Sequence, residues 1–407
     1  MVRGWVERPI LEVLKPNGIK IGPFGSQLKK EMLLSDGQYR VYGQENVYEN
    51  DFSLGDRFLT RDHFNHLNSC EIVSGDFVMS TMGTIGKCAI VPDNIQRGIM
   101  DSHLIRLRFD DNKVLPDYML QLFSDDYHYL SDQTARLAVG GIMDGLSVGI
   151  VSHLKVIYPE NLNEQEKIIE VLSDLDATII DLRRLVRKKK DVYQGLIQQI
   201  MTGRKRLLGF NKQWEETTLG RICDIKDGTH QTPHYTDGGI PFYSVETVTN
   251  DDFTHVKYIS MEEHERLTAS YRIENGDVLM TRIGSIGKGK YIDWEPNASF
   301  YVSLALLKFR GNKALAKFIA HMSETEVFHK EAELHSLQFA IPMKINLGQI
   351  SDIRVMIPTE EKEVEAINVV LDDASIDIKK LEQKLKKYER LKQGMMDELL
   401  TGKVRLV

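Results

Sequence analysis

LNEQEKIIEVLSDLDATIIDLRRLVRKKKDVYQGLIQQIMTGRKRL, residues 162–207, and TEEKEVEAINVVLDDASIDIKKLEQKLKKYERLKQGMMDELLTGKVRL, residues 359–406, read as one long helix written twice. Thr202-Gly203 falls on Thr401-Gly402 at an offset of 199 (401 − 202), and Gln194-Gly195 falls on Gln393-Gly394 by the same step. Val156 and Pro159, which lead into the first copy, fall on Val355 and Pro358. Both copies keep a heptad. The first places Leu172, Ile179, Val186, Tyr193 and Ile200 in one row and Leu175, Leu182, Lys189 and Leu196 in the other. The second places Leu371, Ile378, Leu385, Lys392 and Leu399 beside Ala374, Leu381, Tyr388 and Met395. A sustained seven-residue repeat holds two helices together as a left-handed supercoil, and one polar seam residue per copy (Lys189, Lys392) can fix register. Each helix covers about 40 residues, roughly 60 Å at 1.5 Å per residue. A helix of that length with a narrow apolar stripe needs a partner, and the other copy shares its register. Two amphipathic helices packing on separate domains are the alternative, but they would not need that shared register.

The bulk composition sets bounds. The 407 residues suffice for two or three domains, and the net charge of −7 gives no overall basic signature, so any nucleic-acid surface must be local. Three cysteines (Cys70, Cys88, Cys223) form no CxxC, which points to a reducing compartment without a disulfide framework. The opening MVRGWVERPI lacks the apolar core of a signal peptide, and no run reaches transmembrane length; a cytoplasmic location without a membrane role is the expectation.

Outside the helices, residues 1–160 read as short strands and turns with some helix, in particular over Pro116–Leu130. The segment Val151–Tyr158 is expected as the strand that leads to Pro159, with Asn163 as N-cap and Glu166 completing a capping box. Residues 208–358 repeat this plan, with Trp214 in the place of Trp5. GDFVMSTMGTIGK (75–87) and GDVLMTRIGSIGK (276–288) are identical at seven of thirteen positions. The expected fold is therefore α+β: two mixed globular domains joined by two long helices, with a pseudo-two-fold internal repeat. The expected boundaries are 1–160, 161–207, 208–358 and 359–407.

Catalytic motifs are not visible. GTIGKC and GSIGKG lack the spacer and the Ser or Thr of a phosphate loop, so they are read as tight turns whose glycines adopt positive φ. His63, His66 and Cys70 lack the second pair of ligands for a tetrahedral metal site, and no metal is expected. Side chains able to read bases do gather in the divergent loops. The first domain offers Lys20, Lys29, Arg40, Gln44, Asn46, Arg61 and Lys87; the second offers His230, Gln231, His234, Tyr243, Ser244, Arg282 and Lys288. Arginine pairs with guanine and asparagine or glutamine with adenine in the major groove, while lysine holds phosphates. A two-domain peptide-binding scaffold with a helical spacer is the rival reading.

IGPFGS (Ile21–Ser26), YGQENV (Tyr42–Val47), the paired GD…IGK stretches and the run Tyr158-Pro159, Glu164-Gln165, Ile168 together resemble the specificity (S) subunits of type I restriction–modification systems. The resemblance spans essentially the whole chain. The second copy departs from it in carrying Glu363-Val364 for Glu-Gln. It implies two target-recognition domains, each reading half of a split double-stranded DNA site. It also implies an antiparallel coiled coil that spaces them and docks two methylation subunits, through which restriction subunits join. S-adenosylmethionine, ATP and magnesium would belong to those partners, and this chain would bind none of them and be no enzyme. From the residues alone, a parallel pairing of the helices stays open.

Overall fold

The computed structural model describes residues 2–137, 145–337 and 339–406. The chain forms two compact units, one of residues 1–183 with 384–407 and the other of residues 184–383. Each therefore contains one globular part and a half of each long helix.

In the first unit the strands Leu14–Ile21, Leu104–Phe109, Phe77–Ser80 and Cys88–Ile90 pair in that order, antiparallel throughout. A second sheet orders Phe58–Leu59, Tyr39–Tyr42, Gly98–Met100 and Glu71–Ile72, with Gly98–Met100 parallel to Tyr39–Tyr42. The second unit repeats the first sheet with Asp224–Asp227, Leu304–Lys308, Val278–Thr281 and Gly289–Tyr291. Its other sheet differs at the edges, running Tyr235–Thr236, Lys257–Ile259, Ile240–Tyr243 and Ser299–Phe300. The central strands are covered on both faces, which is why they read as apolar runs rather than alternations. Phe77 and Met79 face the core that also takes in the helix ends, while Val78 faces a second core with Tyr42, Phe64 and Ile99.

The two long helices run Leu162–Ile200 and Glu361–Leu399. They pair antiparallel in each unit, because partner positions rise along one helix as they fall along the other. In the first unit Lys392 Nζ lies 2.6 Å from Asp176 Oδ1, and Arg183 Nη2 lies 2.7 Å from Glu389 Oε1. In the second, Lys190 meets Glu382 at 2.6 Å and Arg206, just past the end of its helix, meets Glu363 at 2.6 Å. Leu172, Ile179, Leu182, Val186, Leu371 and Ile378 are buried, whereas Leu175, Leu381 and Leu385 are half-buried. Lys189 does not lie in the seam: its side chain is exposed beside Asp377, while its expected counterpart Lys392 is 6 % exposed. The N-cap also differs from expectation, since Asn161, not Asn163, supplies it; Asn161 Oδ1 accepts from the Asn163 N–H at 3.0 Å.

The ends of the helices close each unit by the same device. Trp5 starts a strand, Trp5–Pro9, paired antiparallel with Lys155–Pro159, and its indole donates to the buried Glu164 carboxylate at 3.4 Å. Arg405, from the tail of the other helix, forks onto the same carboxylate at 2.5 and 2.7 Å. In the second unit Trp214 and Arg206 hold Glu363 in the same way, with both Arg206 bonds at 2.6 Å. Glu363 thus does the work of Glu164 despite the changed sequence at the start of its helix. Only the neighbour changes: Gln165 bonds to Lys113 O and Pro159 O, and Val364 packs in the apolar core.

Candidate nucleic-acid interface

The repeated GD…IGK stretch folds as a hairpin in both units. The Lys87 N–H donates to Ser80 Oγ at 3.0 Å, the Lys288 N–H donates to Thr281 Oγ1 at 3.0 Å, and Gly83, Gly86, Gly284 and Gly287 all have positive φ. This is a braced turn between strands, as the glycine spacing indicates. Its lysines are engaged: Lys87 pairs with Asp125, and Lys288 Nζ donates to Thr249 O at 2.6 Å.

The remaining candidates fall into three groups. Lys20, Lys29, Arg61, Gln231 and His234 are exposed, as is His230, whose Nε2 lies 2.7 Å from Asp227 Oδ2. Several others brace loops. Arg40 Nη1 donates to Phe52 O at 3.1 Å and Ser53 O at 2.7 Å, Gln44 Oε1 accepts from the Tyr48 hydroxyl at 3.1 Å, and Ser244 bonds to Glu246. Asn46 and Tyr243 differ from these in being enclosed by the fold. Asn46 Oδ1 accepts from the Gly43 N–H at 2.9 Å and its Nδ2 donates to Asp51 O and Leu54 O, each at 3.0 Å, so its amide is spent on closing a helical turn. Tyr243 is buried edge-on against Phe253, with ring centroids 5.0 Å apart.

Asp227 was not legible as a site residue. Its carboxylate holds Arg282 Nη1 at 2.7 Å on one oxygen and His230 on the other. The Asp227-Gly228 pair ahead of THQTPHY was the available signal, since a Cβ on Gly228 would lie 2.4 Å from the Tyr301 carbonyl carbon. That close approach pins the polar loop to the sheet. Among the described residues no group of three or more His, Cys, Asp or Glu side chains is placed to hold a metal ion. None of the described helices is long and apolar enough to cross a membrane.

Comparison with solved structures gives the same fold. The chain is similar to the S subunit of the type I restriction–modification system from M. genitalium, with TM-score 0.62 and 15% identity over 97% of this chain and 96% of that one. It is also similar to a chain from a structure titled for complex assembly and conformational transition of the type I R-M system, with TM-score 0.57 and 19% identity over 98% of each chain. The family model described as "Type I restriction modification DNA specificity domain" matches twice, over residues 5–190 and 211–389. With both halves of the chain matched, and with each half built on the same four-stranded antiparallel sheet and closed by the same Trp–Glu–Arg clasp, the chain belongs to the family of type I restriction–modification specificity subunits.

Proposed function

We propose that this chain gives a type I restriction–modification complex its DNA sequence specificity, with residues 1–160 and 208–358 each reading one half of a bipartite site. Residues 161–207 and 359–407 form the spacer that fixes the distance between half-sites and docks two methylation subunits, which in turn bring in restriction subunits. Methyl transfer and its S-adenosylmethionine, and the ATP- and magnesium-dependent steps, belong to those partners. The observation that carries the reading is duplication with divergence. One scaffold occurs twice in a family of DNA-specificity domains, and the copies differ at the sheet edges and loops that carry His230, Gln231 and Lys29. Such a pair suits two unlike half-sites.

The test is the methylation pattern of host DNA with and without the gene. A bipartite motif that disappears with the gene supports the reading; an unchanged pattern refutes it. Binding assays separate it from a peptide-binding scaffold, because phosphate contacts make DNA affinity fall steeply with salt.

A further inference from the structure

The two units use the same scaffold positions for different chemistry at one place. In the second unit the strands Asp224–Asp227 and Val278–Thr281 flank Leu304–Lys308 and both run antiparallel to it, so their C-terminal ends lie at one edge of the sheet. Asp227 ends one strand and Arg282 follows the other, and they meet at 2.7 Å. In the first unit the matching strands end at Ile21, paired with Ile105, and at Ser80, followed by Thr81. Ile21 and Thr81 thus stand where the second unit has Asp227 and Arg282. The backbone is otherwise held alike. The Thr81 N–H donates to His103 O at 2.8 Å and the Arg282 N–H to Ser303 O at 2.9 Å, while Leu146 and Ile345 donate to the respective carbonyls. The fold therefore closes with or without the ion pair.

The pair is also incompletely satisfied. Arg282 is 7 % exposed, and its Nε is enclosed without an acceptor. An enclosed donor left unmatched is a cost that the folded chain does not relieve by itself. With Nη1 held by Asp227, the edge made of Nε and Nη2 carries two parallel N–H donors, and its Nε is shut inside the fold until the guanidinium moves outward. His230, 70 % exposed on the other Asp227 oxygen, stands at the outer side of the same carboxylate.

We propose that Arg282 is a specificity-determining residue of the second recognition domain, reading a guanine in the major groove, and that Asp227 is its positioning residue. The inference rests on the DNA-reading function proposed above. A small outward shift of the guanidinium gives its free edge to O6 and N7 of the base, the geometry in which arginine selects guanine. Asp227 fixes the plane of the guanidinium and so reduces the freedom lost on binding.

The experiment uses the full chain assembled with its methylation subunits and compares Arg282→Lys, Asp227→Asn and the double variant Asp227→Ile with Arg282→Thr. The double variant installs the pair on which the first unit folds. The readouts are the methylated motif and competition binding between cognate and unrelated DNA. Relaxation at a single G·C pair in one half-site supports the proposal, with the other half-site unchanged and cognate affinity about ten- to hundred-fold lower. Unrelated DNA should bind as before. An unchanged motif with Arg282→Lys and with the double variant overturns the proposal. So does a uniform loss at both half-sites that follows a drop in melting temperature, the mark of a structural ion pair. A wild-type complex with no bipartite motif defeats the underlying DNA reading instead, which separates the two failures.

Discussion

Lys392 is a cation enclosed by the fold. It is buried at the helix seam between Asp176 at 2.6 Å and Asp126 at 2.9 Å. Burial alone would lower its pKa, but the hydrogen bonds and charge of the two carboxylates outweigh burial and leave it raised. The bond from Lys392 holds Asp126 below the usual carboxylate range. Replacing Lys392 with methionine should cost about 1–3 kcal/mol, below the 3–5 of a fully enclosed pair because Asp126 keeps solvent contact. The sign with pH follows from the two directions. Asp126, depressed in the fold, contributes above its unfolded pKa and loses that contribution as pH falls through the folded value. Lys392, raised in the fold, contributes below its unfolded pKa and loses it as pH rises through the folded value. The gap between wild type and Lys392→Met in urea denaturation should therefore be flat from about pH 4 to pH 10 and shrink on either side. A gap that grows below pH 4 would exclude the ion pair as its source.

At the scale of elements, the helices and their partnership were readable because a heptad states its own period. Leu182 is buried and Leu381 only half-buried, so the two equivalent positions should respond unequally. We expect Leu182→Ala to cost about 2–5 kcal/mol and Leu381→Ala clearly less, measured by thermal or urea unfolding. Gly402 is a sharper test of the clasp: its φ is +71°, and a Cβ there would lie 2.8 Å from Trp5 Cε2. Gly402→Ala should lose about 1 kcal/mol or more from backbone strain alone and raise the fluorescence change of Trp5 on mild heating. Shorter elements were less legible. The helical reading of Pro116–Leu130 covers a helix, Pro116–Leu122, a turn with positive φ at His128, and a second helix from Tyr129. The expected strand from Val151 begins only at Lys155, because Ser147 caps a helical turn over Val148–Ser152. The missed break falls at the polar, exposed stretch Asp125-Asp126 and His128, and the missed helical turn, Val148–Ser152, is too short to show a period. The loop residues were harder still. Asn46 looks identical in sequence whether it reads a base or closes a turn; what ties it into the fold is the Gly43 N–H on its oxygen and the Asp51 and Leu54 carbonyls on its nitrogen.

For the whole molecule, duplication makes halves interchangeable to a limited degree. Residues 1–207 contain Trp5 and Glu164 of one clasp and Gly203 and Arg206 of the other. Two copies of this fragment can therefore close each other, with Arg206 taking the place of Arg405 and a self-complementary interface. One position resists. Tyr193 is the repeat counterpart of Lys392 and would bring a phenol, not an ammonium, to Asp126 and Asp176. We expect the fragment to form a weak dimer that, with methylation subunits, modifies a palindrome built from the first half-site, and Tyr193→Lys to strengthen it. Sedimentation of both versions and mapping of methylated bases check this; a fragment that stays monomeric in both versions would defeat it.

The clasp also sets a timetable. The first unit joins residues 1–183 to 384–407, and Arg405 reaches back both to Glu164 and to the Arg3 carbonyl, at 2.7 Å. The second unit is a continuous run of residues 184–383. On the ribosome, at about 5–20 residues per second, the second unit can close while the first still waits for residues 384–407. During that interval the apolar stripe of Leu172 and Ile179 lacks the closing segment of its partner helix. The part made first is thus the part finished last, and a truncation that removes Arg405 leaves one domain intact and the other without its closure.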